Sequence, residues 1–505
     1  MRTIVNVRLK PEDAAKSRAV STQIARKLSV KREEITDLRI KRESIDARRK
    51  QVYVDRTYEV YLGERAEQDY AKTQYQDCAR KPQVIVVGAG PAGLFAALRL
   101  LEVGLKPVII ERGKSVEQRK LDIAKMGRSG VVNPDSNYGF GEGGAGAFSD
   151  GKLFTRSDKR GDVAKVLSQF CQHGADPAIL YETHPHIGSD RLPGVIQKIR
   201  ATIQNNGGEF HFQSKVVALE YASDGAVAGV VTESGKTYEG PVILAVGHSA
   251  SELFRYLDGQ GIAIQSKGVA VGVRLEHPQE LIDRGQYGES AGHPDLPPAV
   301  YKLNYHCANG RGVYTFCMCP GGRVIVASSE EGGVVTNGMS EKARDSGTAN
   351  SGLLVDVRTT DFPDPSDPLS GVDFQEKYER LAFLNGGGGY RPPRTTWGCF
   401  RDGDRSAAPV LDSLPEFCTE AIREAMPHLG RKLRGFDRDD AVMTAVETRS
   451  SSPVRILRDR GSLMSTVAGL YPGGEGAGYA GGITSSACDG IRIAEKIISR
   501  YRIPD

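Results

Sequence analysis

From Gln83 the chain reads QVIVVGAGPAGLFAALRLLEVG and then KPVIIER. A short, wholly apolar run of this kind is a strand buried on both faces, which belongs in the interior of a parallel sheet. The glycines make a tight turn, an apolar helix runs to Gly104, and the second strand ends on Glu111, 18 positions beyond Gly93. Each part of this β-α-β unit has a physical task. Gly88 permits the turn, Gly90 lets backbone approach a pyrophosphate, and Gly93 lets helix and strand pack closely. Pro91 and Ala92 open the helix, whose free N–H groups and dipole favour phosphate. Glu111, with Arg112 beside it, is expected to take hydrogen bonds from a ribose and to disfavour a 2′-phosphate. Glycine spacing alone is weak in a chain with 59 glycines among 505 residues. The flanking strands and the acid make it a dinucleotide site.

Bulk properties set few further bounds. Hydrophobic residues make up 39% and charged residues 26%, with a net charge of +4. This is the balance of an ordinary globular chain of two or three domains. No apolar run approaches the roughly 20 residues of a membrane span. The opening MRTIVNVRLKPEDAAKS lacks the apolar core of a signal peptide. Eight cysteines without a Cys-x-x-Cys motif point to free thiols in a reducing cytoplasm.

Charge is concentrated at the start. Residues 1–65 carry 17 Lys and Arg against 10 Asp and Glu. The pattern there reads strand (TIVNVRLK), helix (PEDAAKSRAVSTQIARKLSV) and two strands (ITDLRIKRESIDA, VYVDRTYEVYL). A small β-α-β-β domain is therefore expected over 1–75, with a junction near residues 66–80. Its basic excess would suit RNA or an acidic partner, but no aromatic-interleaved ribbon accompanies it, and a solvated face is the simpler reading.

The far end of the chain bears on which dinucleotide is held. AGLYPGGEGAGYAGGITSSACDGIRIAEKII has a strand end, a glycine-rich turn with Gly474 and Glu475, and a long helix beginning at Gly482 and Ile483. This resembles the C-terminal motif of the glutathione-reductase-type flavoproteins. The resemblance implies FAD, with the acid on the ribityl chain or pyrophosphate and the helix dipole aimed at the pyrimidine edge of the flavin. PVILAVGHSA resembles the second strand-turn signature of that group, with Val246 where Thr is usual, and places Gly247 near the cofactor. GEFHFQSKVVALE would be the preceding strand, with the backbone of Val216 near the adenine edge. YGFGEGGAGAFSDGKL supplies a second glycine-rich loop, in which Gly143, Gly144, Ala145, Gly146 and Ser149 would lie along the pyrophosphate and flavin.

Taken together, GEGGAGAFSDGKL, VYTFCMCPGG, VETRSSSPVRILRD and GLYPGGEGAGYAGGITSSACDG resemble the bacterial FAD-dependent dehydrogenases of unassigned substrate over nearly the whole chain. GYRPPRTTWGCF departs from that pattern. The expected fold is α/β: a discontinuous Rossmann-like FAD-binding domain (80–255 and 440–505), an inserted mixed α+β substrate domain (256–439), and the small N-terminal domain.

Chemistry is expected where the inserted domain meets the flavin. Cys317 and Cys319 on one strand would point to one face, as a redox dithiol or as two small buried residues. Arg449, Arg455 and Arg458 precede the C-terminal motif, so they would either orient an acidic substrate or bridge the junction. Lys152 follows the second glycine-rich loop and would approach the flavin N5/O4 or face solvent. His184 and His186 lack partners at zinc-like spacing, and no metal site is expected. Ser189 or Asp190 is a plausible N-cap for the helix after GSDRL. The expected activity is dehydrogenase or reductase chemistry on a small-molecule substrate. No second complete dinucleotide unit follows residue 150, so NAD(P)H would bind only transiently, or the substrate itself would be the donor. A flavin hydroxylase, an RNA-modifying or RNA-binding flavoprotein and a non-catalytic flavin scaffold are the alternatives.

Overall fold

The computed structural model describes residues 1–66, 69–155 and 161–501. Residues 67 and 68 of the expected junction lie outside the described residues.

The apolar run Gln83–Val87 sits at the centre of a five-stranded parallel sheet. Lys106–Ile110 pairs on one side and Val242–Leu244 on the other, followed outward by Glu209–His211 and Leu470–Pro472. Because the chain leaves the central strand first to one side and later to the other, a crevice opens at the strands' C-terminal ends. The helix Pro91–Leu101 covers the sheet with Leu94, Phe95, Leu98, Leu100 and Leu101, none more than 2% exposed. Each such burial is worth about 1.5–3 kcal/mol. The terminal helix Ile483–Ile498 lies directly against it. Gly490 comes so close that a Cβ there would stand 2.0 Å from the Ala92 carbonyl oxygen.

A second, antiparallel sheet of six strands runs in the order Asn304–His306, Gly312–Cys319, Thr348–Val357, Val269–Pro278, Val442–Glu447 and Arg394–Thr396. The helices Ser370–Asn385 and Glu416–Lys432 share its core, packing Phe374, Ile422 and Met426 with Val271, Leu353 and Met443. The boundary expected at residue 440 is displaced by this sheet. Val442–Glu447 pairs with Val269–Pro278 in the antiparallel half and does not join the parallel sheet.

The N-terminal order is strand, helix, strand, strand, with Tyr53–Leu62 between Arg2–Leu9 and Ile35–Asp46 in an antiparallel sheet. The single helix read there is two, Pro11–Ala14 and Ser17–Leu28, parted at Ala15 and Lys16. Its basic groups are extensively paired: Arg8 with Asp46 and Asp55, and Arg56 with Glu43. GEFHFQSKVVALE is likewise not one strand. Gln213 turns with φ +53°, Glu209–His211 stays in the parallel sheet, and Val216–Tyr221 starts a separate antiparallel sheet.

Candidate active site

A cavity of about 1020 Å³ lies where the crevice of the parallel sheet faces the antiparallel sheet. That is the upper end of the roughly 300–1000 Å³ typical of ligand pockets. Both glycine-rich helix starts open onto it: Gly88, Gly90, Pro91 and Ala92 from the first, Gly482 and Ile483 from the last. Neither helix carries a side-chain cap, so their leading N–H groups are left for whatever occupies the space.

The glycines differ in what they serve. Gly88 has φ +103° and a Cβ there would meet the Ala245 carbonyl oxygen at 2.6 Å; Gly93 would meet that of Gly88 at 2.0 Å. Those two are glycine for the fold. Gly90 is different. Its backbone is ordinary for any residue (φ −77°), and a Cβ would find only the Gly144 Cα, at 3.8 Å. Gly247 and Gly482, also on the cavity wall, would place a Cβ with no neighbouring protein atom within 4 Å. Small residues at these three places keep a space empty that the protein itself does not fill.

Glu111 lines the cavity and organises its floor. Its Oε2 accepts from the Ala89 N–H at 2.8 Å, and its Oε1 from Gly113 at 2.9 Å and Gly141 at 3.0 Å. The acid thus ties the first glycine turn to the second glycine-rich loop and leaves Oε2 room for a further donor. Arg112, also on the wall, is bonded to Asp135 and lies 4.0 Å over the Phe140 ring. The loop itself is gathered around Arg119, fully buried in the helix Val116–Ser129. Arg119 donates to the carbonyls of Asn137, Tyr138, Gly141, Glu142 and Gly144 at 2.6–3.3 Å. Burial draws its guanidinium down to about 10. Gly144, Ala145, Gly146 and Ser149 reach the cavity wall, with the Ser149 hydroxyl donating to the Gly146 carbonyl at 2.8 Å. Gly143 does not. Its N–H is spent on the Ala89 carbonyl at 2.8 Å, and its φ of +85° beside Ile196 makes it a turn residue.

The C-terminal turn is latched from within its own helix. Asp489 accepts from the Gly474 N–H at 2.9 Å and pairs with Arg458 at 2.6 Å, while Arg458 stacks 3.7 Å over Tyr479. Gly474, expected at the cofactor, is therefore a turn residue committed to Asp489 and lies off the cavity wall. Arg458 bridges the turn. Arg455, expected near the flavin, is exposed on Val454–Ile456, over Tyr479, and does not line the cavity. Glu475 does face the cavity. Its carboxyl has no hydrogen-bond partner among the described residues, and burial pushes it up to about 7 against the pull of Lys267. Val216 also reaches the wall.

The opposite wall comes from the antiparallel sheet and adjoining loops. The strand Gly312–Cys319 bulges between Phe316 and Cys319, with Cys317 at φ +45°. The two thiols are therefore not related by the regular two-residue repeat of a strand, though both line the cavity. Cys317 is exposed to it and Cys319 is buried; both are free thiols. Loss of bulk water inside the cavity mouth pushes the Cys317 thiol up, against the pull of Lys152. Cys319 Sγ stands 3.6 Å from both Lys152 Nζ and Arg274 Nη2. Arg274, wholly buried, forms a two-pronged pair with Glu447 at 3.0 and 3.1 Å. Arg449 lines the cavity with a guanidinium held by Glu379 and Glu330 at 2.7 and 3.0 Å, so its charge is already matched. His248 beside it is pushed down to about 4 by burial.

His184 lines the cavity, whereas His186 sits behind it, bonded to the Lys342 carbonyl at 3.3 Å. Neither Ser189 nor Asp190 caps the helix Leu192–Asn205. Asp190 accepts instead from the Lys342 N–H at 2.8 Å, and the N-cap residue is Arg191, with no side-chain bond. Sequence reasoning missed Arg119, Arg274, Arg344 and Asp489. Arg274 and Asp489 had a signal, each a charge inside an apolar run that demands a buried partner. Arg119 and Arg344 sit in polar segments and had none.

Comparison with known proteins follows the same division of the chain. Residues 81–136 match a family model described as an FAD binding domain, and 268–450 one described as the C-terminal domain-like part of an FAD-dependent protein. Residues 1–61 match a domain of unknown function. An uncharacterized protein of Clostridium beijerinckii is 41% identical over 518 residues, covering 95% of this chain and 96% of its own. Solved structures are more distant. Flavin-dependent brominase Bmp2 is 13% identical over 83% of this chain and 79% of its own, with a TM-score of 0.38. A geranylgeranyl bacteriochlorophyll reductase-like protein of Thermoplasma acidophilum is 15% identical over 83% and 79%, at 0.34.

Proposed function

The chain belongs to the bacterial family of FAD-dependent proteins represented by its Clostridium relative, and we propose that it is a dehydrogenase or reductase whose FAD lies along the cavity between the two helix starts. FAD is the resident cofactor and oxidoreduction the activity; when bound, the flavin ring exchanges electrons with a small-molecule substrate. One observation carries the placement. Gly90, Gly247 and Gly482 are bare toward a common space without any need of the fold. An extended dinucleotide is the occupant that would need all three.

In this reading the chain's residues hold and bias the cofactor. The backbone at Gly88–Ala92 and the loop Gly144–Gly146 would cradle the diphosphate. Glu111 Oε2 would take a ribose hydroxyl, and Val216 would border the adenine. Glu475, when protonated, would donate to the ribityl chain or diphosphate without opposing its charge. The uncapped start at Gly482 and Ile483 would stabilise negative charge on the pyrimidine edge. The order of these signatures supports assignment to the glutathione-reductase-type flavoproteins. The units proposed are 1–75, 80–255 with 450–505, and an inserted substrate domain that includes Val442–Glu447. Eight free thiols suit a reducing cytoplasm.

The direct test is anaerobic titration of the purified yellow protein with NADH, NADPH and a panel of alcohols, hydroxy acids and amines. Bleaching by one of them is expected, and identifies the electron donor. Protein that takes up no FAD would overturn the cofactor placement. A yellow protein that no donor bleaches would overturn the dehydrogenase reading.

A further inference from the structure

The charges on the substrate-side wall are distributed unevenly among its acids. Arg274 is balanced by Glu447, and Arg449 by Glu330 and Glu379. Lys152 and Arg344, in contrast, share one carboxylate. Asp150 Oδ2 lies 3.1 Å from Arg344 Nη2 and 3.5 Å from Lys152 Nζ, and its other oxygen accepts from the Ser340 hydroxyl. His184 and His186 add no charge, since burial pushes both below their usual range, His186 to about 4. Among the described residues Asp150 is the one carboxylate within 4 Å of either cation, with Glu182 acting on Arg344 from farther away, and a buried charge that shares its close partner is costly.

Arg344 bears two further marks of being held for a purpose. Its side chain is only 9% exposed, yet its Nε is buried without an acceptor among the described residues. Its backbone is also in the left-handed region, φ +54°, which a bulky side chain adopts only where its surroundings impose it. Lys152 likewise keeps ammonium hydrogens free. Its contacts at 3.5 and 3.6 Å, to Asp150 and to Cys319, are long, and its side chain is 31% exposed on the cavity wall. The adjoining wall is apolar and aromatic: Phe154, Tyr301, Phe316 and Met318.

We propose that Lys152 and Arg344 form the carboxylate subsite of this cavity, and that the substrate is an organic acid with an apolar or aromatic body. The inference rests on the oxidoreductase reading for its meaning but not for its test. The two cations that share Asp150 supply attraction, Arg344 offers guanidinium N–H groups that Asp150 leaves free, and the aromatic wall accepts the body of the acid. Neither residue belongs to the diphosphate cradle. The pair replaces the exposed Arg455 and the already matched Arg449 as the substrate's anion partner.

The test uses benzoate and octanoate against benzamide and octanamide, on the FAD-loaded protein, read as perturbation of the flavin spectrum and, in parallel, by titration calorimetry. At least one acid is expected to bind saturably, its amide at least about tenfold more weakly, as loss of a charge-assisted hydrogen bond requires. Arg344→Gln and Lys152→Met should each weaken the acid about tenfold or more without changing the amide, and Arg344→Lys should restore part of the loss. Circular dichroism and FAD content identify any variant that fails to fold, in which case Lys152→Met and the acid-amide pair on the unmutated protein decide. Equal affinity for acid and amide, no binding of either acid, or unchanged acid affinity in a folded Lys152→Met would overturn the subsite. A colourless protein that still prefers the acid by calorimetry would refute the cofactor placement and leave the subsite standing.

Discussion

Replacing Gly90 by alanine separates the fold from the ligand. The backbone at Gly90 has φ −77°, and the new methyl would meet nothing nearer than the Gly144 Cα at 3.8 Å, an ordinary van der Waals distance. Stability of the cofactor-free protein should therefore change by no more than about 1 kcal/mol, the usual range for a compatible glycine substitution. In a chain of this size that is a shift in Tm of a few degrees at most. Cofactor affinity should behave otherwise. The methyl occupies the space through which the backbone would approach the diphosphate, and valine fills it further. We expect a loss of about 100-fold or more for Gly90→Ala, equivalent to about 2.7 kcal/mol, and colourless protein for Gly90→Val. Gly93→Ala is the control with the opposite signature. Its methyl would stand 2.0 Å from the Gly88 carbonyl oxygen, so the apoprotein should lose about 1–3 kcal/mol from overpacking. Thermal unfolding of the apoproteins and fluorescence titration with FAD measure both quantities. If Gly90→Ala retains FAD at wild-type affinity, the first helix start does not hold the diphosphate.

Further outcomes follow from the same geometry. Burial lifts the Glu475 carboxyl to about 7, so below that pH it is mostly neutral and above it an anion facing an anionic cofactor. FAD affinity should fall as pH rises through about 7, by up to tenfold per unit, and Glu475→Gln should flatten that slope; an equal slope in both proteins would refute the placement. Arg119→Gln strips donors from five carbonyls, three of them buried, and should cost about 3–5 kcal/mol, read from the urea midpoint. Arg455→Ala, on an exposed side chain off the cavity, should leave stability within about 0.5 kcal/mol and FAD affinity unchanged.

What could be read from the sequence was whatever depends on local pattern. The buried run at Val84–Val87, the glycine turn and the helix after it specify their own geometry, because strand, turn and dipole are consequences of neighbouring residues. The late helix at Ile483 was legible for the same reason. Non-local pairings were not. Nothing near Arg119 says that it will collect the carbonyls of a loop about twenty residues onward. Nothing near Gly474 says that its N–H will be taken by Asp489 rather than left for a phosphate. Cys317 and Cys319 show the limit of periodicity, since a bulge and a positive φ override the two-residue repeat. Val442–Glu447 was misassigned because a buried strand reads alike whichever sheet receives it.

The contact between Gly490 and Ala92 also orders events in the life of the molecule. One half of the cradle emerges from the ribosome about 390 residues ahead of the other. Until that last helix docks, the early segment exposes an apolar flank and a phosphate-seeking turn with nothing to enclose them. Acquisition of colour should consequently coincide with docking of the helix that carries Gly490, and fragments interrupted before residue 490 should remain pale however well their leading strands have paired.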